Sequence, residues 1–268
     1  MATIYTVLGS SLLVEWAADQ PATIYEDTGG TDQAEDGDAV AAWRSTANGT
    51  LSLLTTQSTA ANRPLYRANY ASSGYPAIEF DGSNDGLLIP HNAALDISEQ
   101  TIFAVVKADD LTPWRFILSR HGNAGWDPGT GLLCDTSGNL TLSVGYGVNS
   151  RPVGITPGTT NRVIVAGRRA AASNEIWLND SQIGAQNVVR SGTSHSQQGG
   201  IGNAGAVGGN YPWDGAIQHI LWCSGAVSRT AIEYVINALG DRWGITITDP
   251  PSIGGGRIVH PFLQQVIG

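Results

Sequence analysis

The chain has 268 residues, of which 41% are hydrophobic and only 14% charged, against about 25% charged in an average soluble domain, and its formal net charge is -9. This composition excludes a coiled coil or helical bundle, which needs Glu, Lys, Ala and Leu in heptads, and excludes disorder, because apolar residues are plentiful. A negative field repels phosphate backbones, so nucleic acid is not an expected partner, and no run approaches the ~18 apolar residues of a membrane span.

The N-terminus has no basic region, and its apolar stretch is broken by Gly9, Ser10 and Ser11. It does not read as a signal peptide, so the expectation is synthesis in the cytoplasm without export. An apolar stretch from Leu8 to Val14 follows, then Trp16. Residues 27–41 are acidic and glycine-rich and read as a solvated loop. From Trp43 onward, short β-type runs alternate with turn residues. Ala77–Phe80 runs into the Asp81-Gly82 turn signal, and Gly86–Ile89 resumes the strand. Thr101–Lys107 is the clearest strand, and Arg115–Arg120 is another. Gly131–Cys134 and Asn139–Val144 predict a hairpin across residues 135–138. Arg162–Gly167 and Glu175–Leu178 follow, and Asn179-Asp180 turns into Ser181–Gly184. Ile217–Trp222 is the last strong strand. Strands about ten residues apart, with polar turns between, predict an all-β sandwich or barrel.

One helix stands out. Ser228 or Thr230 can cap it, and Ile232, Val235, Ile236, Leu239 and Trp243 make one apolar stripe at helical spacing. Gly240 or Gly244 ends it. Ile245–Thr248 reads as a short strand, stopped by Pro250-Pro251. This divides the chain into a domain over 1–247 and an arm over 248–268 hinged at Gly254-Gly255-Gly256. The arm carries Ile258, Val259, Phe262, Leu263, Val266 and Ile267. It either folds back on its own domain or docks on a neighbouring chain. Cys134 and Cys223 lie in apolar runs and are expected as buried thiols.

The order Trp43-Arg44-Ser45, Asn62–Tyr66, Pro76–Asp85, Thr101–Val106, Phe116–Arg120, Ile176–Asp180, Trp213–Ile217 and Leu239–Gly244 resembles the laminin-G-like, concanavalin A-like jelly roll of bacterial and phage proteins. The resemblance covers about residues 8–247. It implies two curved antiparallel sheets packed face to face, with a groove on the concave face and one C-terminal helix. It implies no single function, because such folds bind sugars, bind proteins, cleave glycans or only build structure.

Glycoside hydrolysis needs two carboxylates across the scissile bond. The nearest arrangement is Glu79-Phe80-Asp81, but a second Glu is replaced by Asn84, and Asp81-Gly82 reads better as a turn. Glu79 is expected to pair with an arginine, and no catalytic residue is assigned. Calcium wants several oxygens, and Asp36, Asp38, Asp81 and Asp85 are its candidate ligands. The competing reading is turn chemistry, in which Asp and Asn bond their own backbone. The five histidines show no metal-ligand spacing. His219 lies in a strand and is expected to be packed there. Exposed rings could stack on a sugar, with Trp126, Tyr211 and Trp213 as the candidates. The competing reading is that most tryptophans fill the core.

These features point first to a structural protein of a bacteriophage virion, a capsid decoration or cement protein or a head or tail fibre part. The motives are the missing signal peptide and catalytic set, a single lysine (Lys107) and the apolar arm. Its expected partners are the major capsid protein or other virion subunits, further copies of itself as a dimer or trimer, and host surface glycans. Its expected location is the virion. The alternative is a carbohydrate-binding module that uses the concave face.

Overall fold

The structure, a computed structural model, describes residues 3–111, 114–120, 130–135, 137–144, 153–154, 161–179, 181–187, 198–204 and 211–247. Its strands are β1 (Leu12–Ala17), β2 (Ile24–Tyr25), β3 (Ala42–Arg44), β4 (Leu54–Thr56), β5 (Leu65–Arg67), β6 (Ala77–Asp81), β7 (Leu87–Ile89), β8 (Gln100–Asp110) and β9 (Arg115–Arg120). They continue as β10 (Thr130–Cys134), β11 (Asn139–Val144), β12 (Val153–Gly154), β13 (Val163–Ala170), β14 (Ser173–Leu178), β15 (Ser181–Asn187), β16 (Gly199–Ile201) and β17 (Asp214–Ser224). The helices are α1 (Ile4–Leu8) and α2 (Arg229–Trp243).

Two antiparallel sheets form a sandwich. One runs β15-β14-β13-β8-β17-β6-β5, with β1 also on β17; the other runs β12-β11-β10-β9-β16-β7-β4-β3-β2. The strongest predicted strands are the central ones of the first sheet, and the reason is burial on both faces. β8 reads Gln100-Thr-Ile-Phe-Ala-Val-Val106 without a polar/apolar alternation, and all seven side chains are buried. One face of that sheet meets the second sheet; the other is covered by α2, whose closest strand is β13, and by α1, which packs on α2.

β17 changes neighbours along its length. Asp214–Ile217 pair with β6, and His219–Cys223 pair with β1. The register shifts at Gln218 between these two partners, a bulge that lets one strand serve both. The β10–β11 hairpin forms as predicted, and the β14–β15 strand runs on to Asn187.

The helix also forms where the apolar spacing predicts it. Ser228 Oγ accepts the Ala231 N–H at 3.2 Å, and Gly244 closes it at φ +60°. Ile232, Val235, Ile236, Leu239 and Trp243 are all buried, each worth about 1.5–3 kcal/mol relative to exposure. Both cysteines are free and buried, and burial pushes the Cys223 thiol up to about 12.

One expectation is corrected. Ile245 to Ile247 form no strand; the two isoleucines pack on the core from irregular backbone after the helix cap. The Asp81-Gly82 turn does not close a hairpin, because β6 and β7 lie in different sheets and the turn carries the chain across the sandwich. Ahead of β1 the chain forms α1, capped by Thr3. Residues 248–268, including the arm, lie outside the described residues.

Candidate functional site

The helix α2 packs on β13 of the eight-stranded sheet, while the candidate ring Tyr211 packs on β9 of the nine-stranded one, so the outside of the latter is the surface to describe. Alternation decides which side chains reach it. In β10, Leu132 and Cys134 belong to the core, so Gly131 and Leu133 point outward. In β11, Leu140 and Leu142 are core residues, so Thr141 points outward. In β9 the register slips, with Leu118 opposite Leu132 and Phe116 opposite Leu133. Ile117 and Leu118 therefore both face the core, while Phe116 and Ser119 face out.

The pairing then lines up a row across the sheet: Tyr25, Ala42, Thr56, Leu88, Gly200, Ser119 and Gly131 are successive neighbours. Most of the row is small. Thr56 and Leu88 are half-buried, whereas Ser119, Thr141, Phe116 and Leu133 are buried although they lie outside the core. All four are fully covered, so they support this face from beneath. Ser119 Oγ donates to the Asn203 carbonyl at 3.0 Å. The Tyr211 ring lies 5.9 Å from the Phe116 ring at 54°, and Tyr211 is itself half-buried. At the far end, Arg44 lies over the Tyr25 ring at 5.6 Å.

The sequence-derived sugar platforms therefore separate. Tyr211 stands at this face. Trp213 does not: its side chain is fully buried, held because its backbone bridges Gly202 and Gly82 and turns the indole into the core. A ring with no exposed surface cannot stack on a ligand. Trp126 lies outside the described residues. Phe116 was hidden inside an apparently uniform apolar strand, and only the slip at Ile117 shows that it faces outward.

The carboxylates proposed for calcium accept backbone N–H groups, Asp38, Asp81 and Asp85 within their own turns. Asp36 accepts the Ala68 N–H at 2.8 Å, and Asp38 accepts that of Glu35 at 2.7 Å. Asp81 accepts from Ser83 and Asn84, and Asp85 accepts from the Asp81 N–H at 2.9 Å. Among the described residues, no three His, Cys, Asp or Glu side chains gather as a metal site. Asp85 is buried, and that burial, with the nearby Asp81 and Glu79 charges, pushes its carboxyl up to about 6 against the backbone hydrogen bond. Glu79 pairs with Arg67 at 2.6 Å, the arginine partner expected for it.

A second polar constellation lies beneath the helices. Glu15 of β1 is fully buried and accepts from His219 Nε2 at 2.9 Å, Tyr5 at 3.0 Å, Arg242 at 3.1 Å, Thr46 at 2.5 Å and Asn48 at 2.6 Å. Burial pushes this carboxyl up, but the bonds from His219, Thr46 and Asn48 outweigh it and hold Glu15 well below the usual range. Arg242 also forks onto Asp19, at 2.7 Å through both nitrogens. Every oxygen of Glu15 is thus used in fastening α1, α2 and the 46–48 turn to the sheet, and the set closes on itself.

No protein family matches the chain, and no curated protein sequence matches it. Among solved structures it is similar to domain 4 of AbnA, a GH43 extracellular arabinanase from Geobacillus stearothermophilus in complex with arabinotriose. The identity is 13%, the TM-score 0.53, and the match covers 84% of this chain and 98% of that one. It is also similar to the Trypanosoma rangeli sialidase in complex with a difluoro-KDN ligand, at 13% identity and TM-score 0.58, covering 88% of this chain but 33% of that one. This chain thus spans about a third of that sialidase. A sialidase CBM40 from Ruminococcus gnavus, bound to alpha2,3 sialyllactose, matches 60% of this chain and 95% of its own at 14% identity and TM-score 0.49. These likenesses give the phage link no support. At such identities they show the fold alone: the chain is an antiparallel two-sheet jelly-roll sandwich with one C-terminal helix.

Proposed function

We propose that the chain is a carbohydrate-binding module without catalytic chemistry, using the outer face of the nine-stranded sheet. The observation that carries this reading is Tyr211, a half-buried ring packed on the buried Phe116 at the outer face of the sheet that also carries the half-buried Thr56 and Leu88. Aromatic faces stack on the C–H faces of sugars, and a few placed polar groups fix orientation. The arabinanase domain, in complex with arabinotriose, supports the reading as a proposal for this chain. Catalysis has little to work with here. Glu79 is tied to Arg67, and the Asp81 carboxylate is tied to its own turn, so neither stands across a cleft from a second free carboxyl.

The test is calorimetric titration of the full chain with neutral oligosaccharides, arabinotriose among them, alongside Tyr211→Ala. Binding that falls at least about tenfold in the variant, with no product formed, supports the module. No binding to any glycan overturns it. The virion role expected from the sequence draws no support from the similar structures. It predicts instead that the chain associates with itself or a shell and ignores sugars.

A further inference from the structure

The outer face of the nine-stranded sheet has a second end, away from Tyr211. In β3, Trp43 belongs to the core, so Arg44 points outward. Its register partner Leu54 faces the same way, next to Thr56. The Arg44 guanidinium lies over the Tyr25 ring at 5.6 Å, and the Tyr25 hydroxyl donates to the Ala22 carbonyl at 2.8 Å, which fixes that ring. The 27–31 turn closes on the same guanidinium at Gly30. An added Cβ there would lie 2.7 Å from Arg44 Nη2 and 3.4 Å from Leu54 Cδ1, and φ is +69°, so the turn needs glycine on both counts.

Held in this way, Arg44 lacks an acceptor. Arg67, Arg115, Arg168 and Arg242 each grip a carboxylate. Arg44, among the described residues, makes neither a hydrogen bond nor an ion pair, and the Tyr25 ring is its contact. It is half-buried, so its donors are reachable from solvent. A guanidinium carries five N–H donors in a rigid fork, and one positioned without an acceptor is set to receive oxygens from a ligand. The oxygens that fit are uncharged. Glu26 directly follows Tyr25, and the charge of Asp38, followed by desolvation and the charges of Asp32, Glu35 and Asp27, pushes its carboxyl up. A polyanionic ligand would meet that gathered negative charge, whereas the hydroxyls of a neutral sugar would not.

The two ends are well separated. Tyr211 packs on Phe116 of β9, and β9 lies four strand spacings from β3, about 19 Å. A ligand that touches both has to be a chain of several sugars lying across the strands. We propose that Arg44 is a second glycan contact on this face, and that the ligand is an uncharged oligosaccharide long enough to reach from Tyr211 to Arg44. This inference rests on the glycan reading above. Tyr211 supplies the stacking ring at one end, and Arg44 donates to a pair of sugar hydroxyls at the other, beside the half-buried Leu54 and Thr56.

The test is calorimetric titration of the full chain with neutral arabinan, xylan and glucan oligosaccharides, each as trimer and hexamer, and with hexagalacturonate. Wild type, Arg44→Gln and Arg44→Lys are compared. In the series that binds, the hexamer should bind about tenfold more tightly than the trimer. Arg44→Gln should remove that gain and leave the trimer affinity as it was. Arg44→Lys, which keeps the charge without the fork, should lose the gain as well. Hexagalacturonate should bind more weakly than the neutral hexamer. A trimer that binds as tightly as its hexamer, or a gain that survives in Arg44→Gln, overturns the inference and leaves the glycan reading standing. Tighter binding of hexagalacturonate than of every neutral hexamer overturns the neutral ligand and again leaves that reading. No binding in any series overturns both.

Discussion

Trp243 Nε1 donates to His219 Nδ1 at 3.0 Å, and that one bond decides where the imidazole proton sits. With Nδ1 accepting, the proton is on Nε2, which donates to Glu15 at 2.9 Å. The ring pair meets edge-on, 5.8 Å apart. The last residue of α2 therefore keeps a strand histidine neutral, against an ionised carboxylate.

Acid should loosen this fastening. Burial holds His219 below its ordinary value of 6.5, so the unfolded chain takes the proton first. The stability contributed is present above about 6.5 and is lost as pH falls below it. Glu15, held below 4.5, contributes stability above that value, lost on further acidification. Thermal melts between pH 8 and 4 should show the melting temperature falling on the acid side. In Trp243→Phe the slope between pH 7 and 5 should shrink, because Nδ1 becomes free to accept a proton. An unchanged slope would remove His219 from the account.

Removing the centre of the cluster should cost much more. Glu15→Ala strips five donors of their acceptor and leaves Arg242 with Asp19 and the Tyr5 hydroxyl. Breaking a buried charged set from one side costs about 3–5 kcal/mol. Urea unfolding should report that loss, with Glu15→Gln falling between the variant and wild type.

Asp85 has the opposite sign. Its folded value is about 6 against 3.8 for the free side chain. Its contribution is full below 3.8 and is lost as pH rises through about 6. Asp85→Asn keeps an oxygen for the Asp81 N–H and needs no charge. At pH 8 it should be more stable than wild type by about 2 kcal/mol, and the gain should close as the pH approaches 4.

Tyr211→Ala and Trp213→Ala should fail in different ways. Tyr211 is half-buried on the outer face, so its loss should weaken glycan binding and leave the melting temperature within a few degrees. Trp213 is fully buried, so its loss should cost about 3–5 kcal/mol. Calorimetry and melting curves on the two variants, measured together, separate the roles.

The strands of the sandwich were legible where burial imposes a simple pattern. β8, β13 and β17 are continuous apolar runs because both their faces are covered, and α2 shows its stripe because only one of its faces is. What stayed hidden depends on pairing. Nothing local tells that Asp81-Gly82 crosses between sheets, since a turn has the same residues whether or not its strands later pair. Trp213 looked like a loop aromatic because Pro212 and Asp214 flank it, and only its bonds to Gly82 and Gly202 turn it inward. α1 is five residues long, too short to show a helical period.

The handover along β17 has a consequence for how the molecule comes into being. Glu15 and His219 are 204 residues apart in the chain, and β1 has no sheet partner other than β17 among the described strands. β1 is therefore made long before β17, and its ladder must wait for that strand, with only the 46–51 segment to bond its other edge. Bringing such distant segments together makes assembly slow. Through that interval Leu12, Val14 and Trp16 remain an unclaimed apolar edge, the segment a chaperone would be most occupied in shielding.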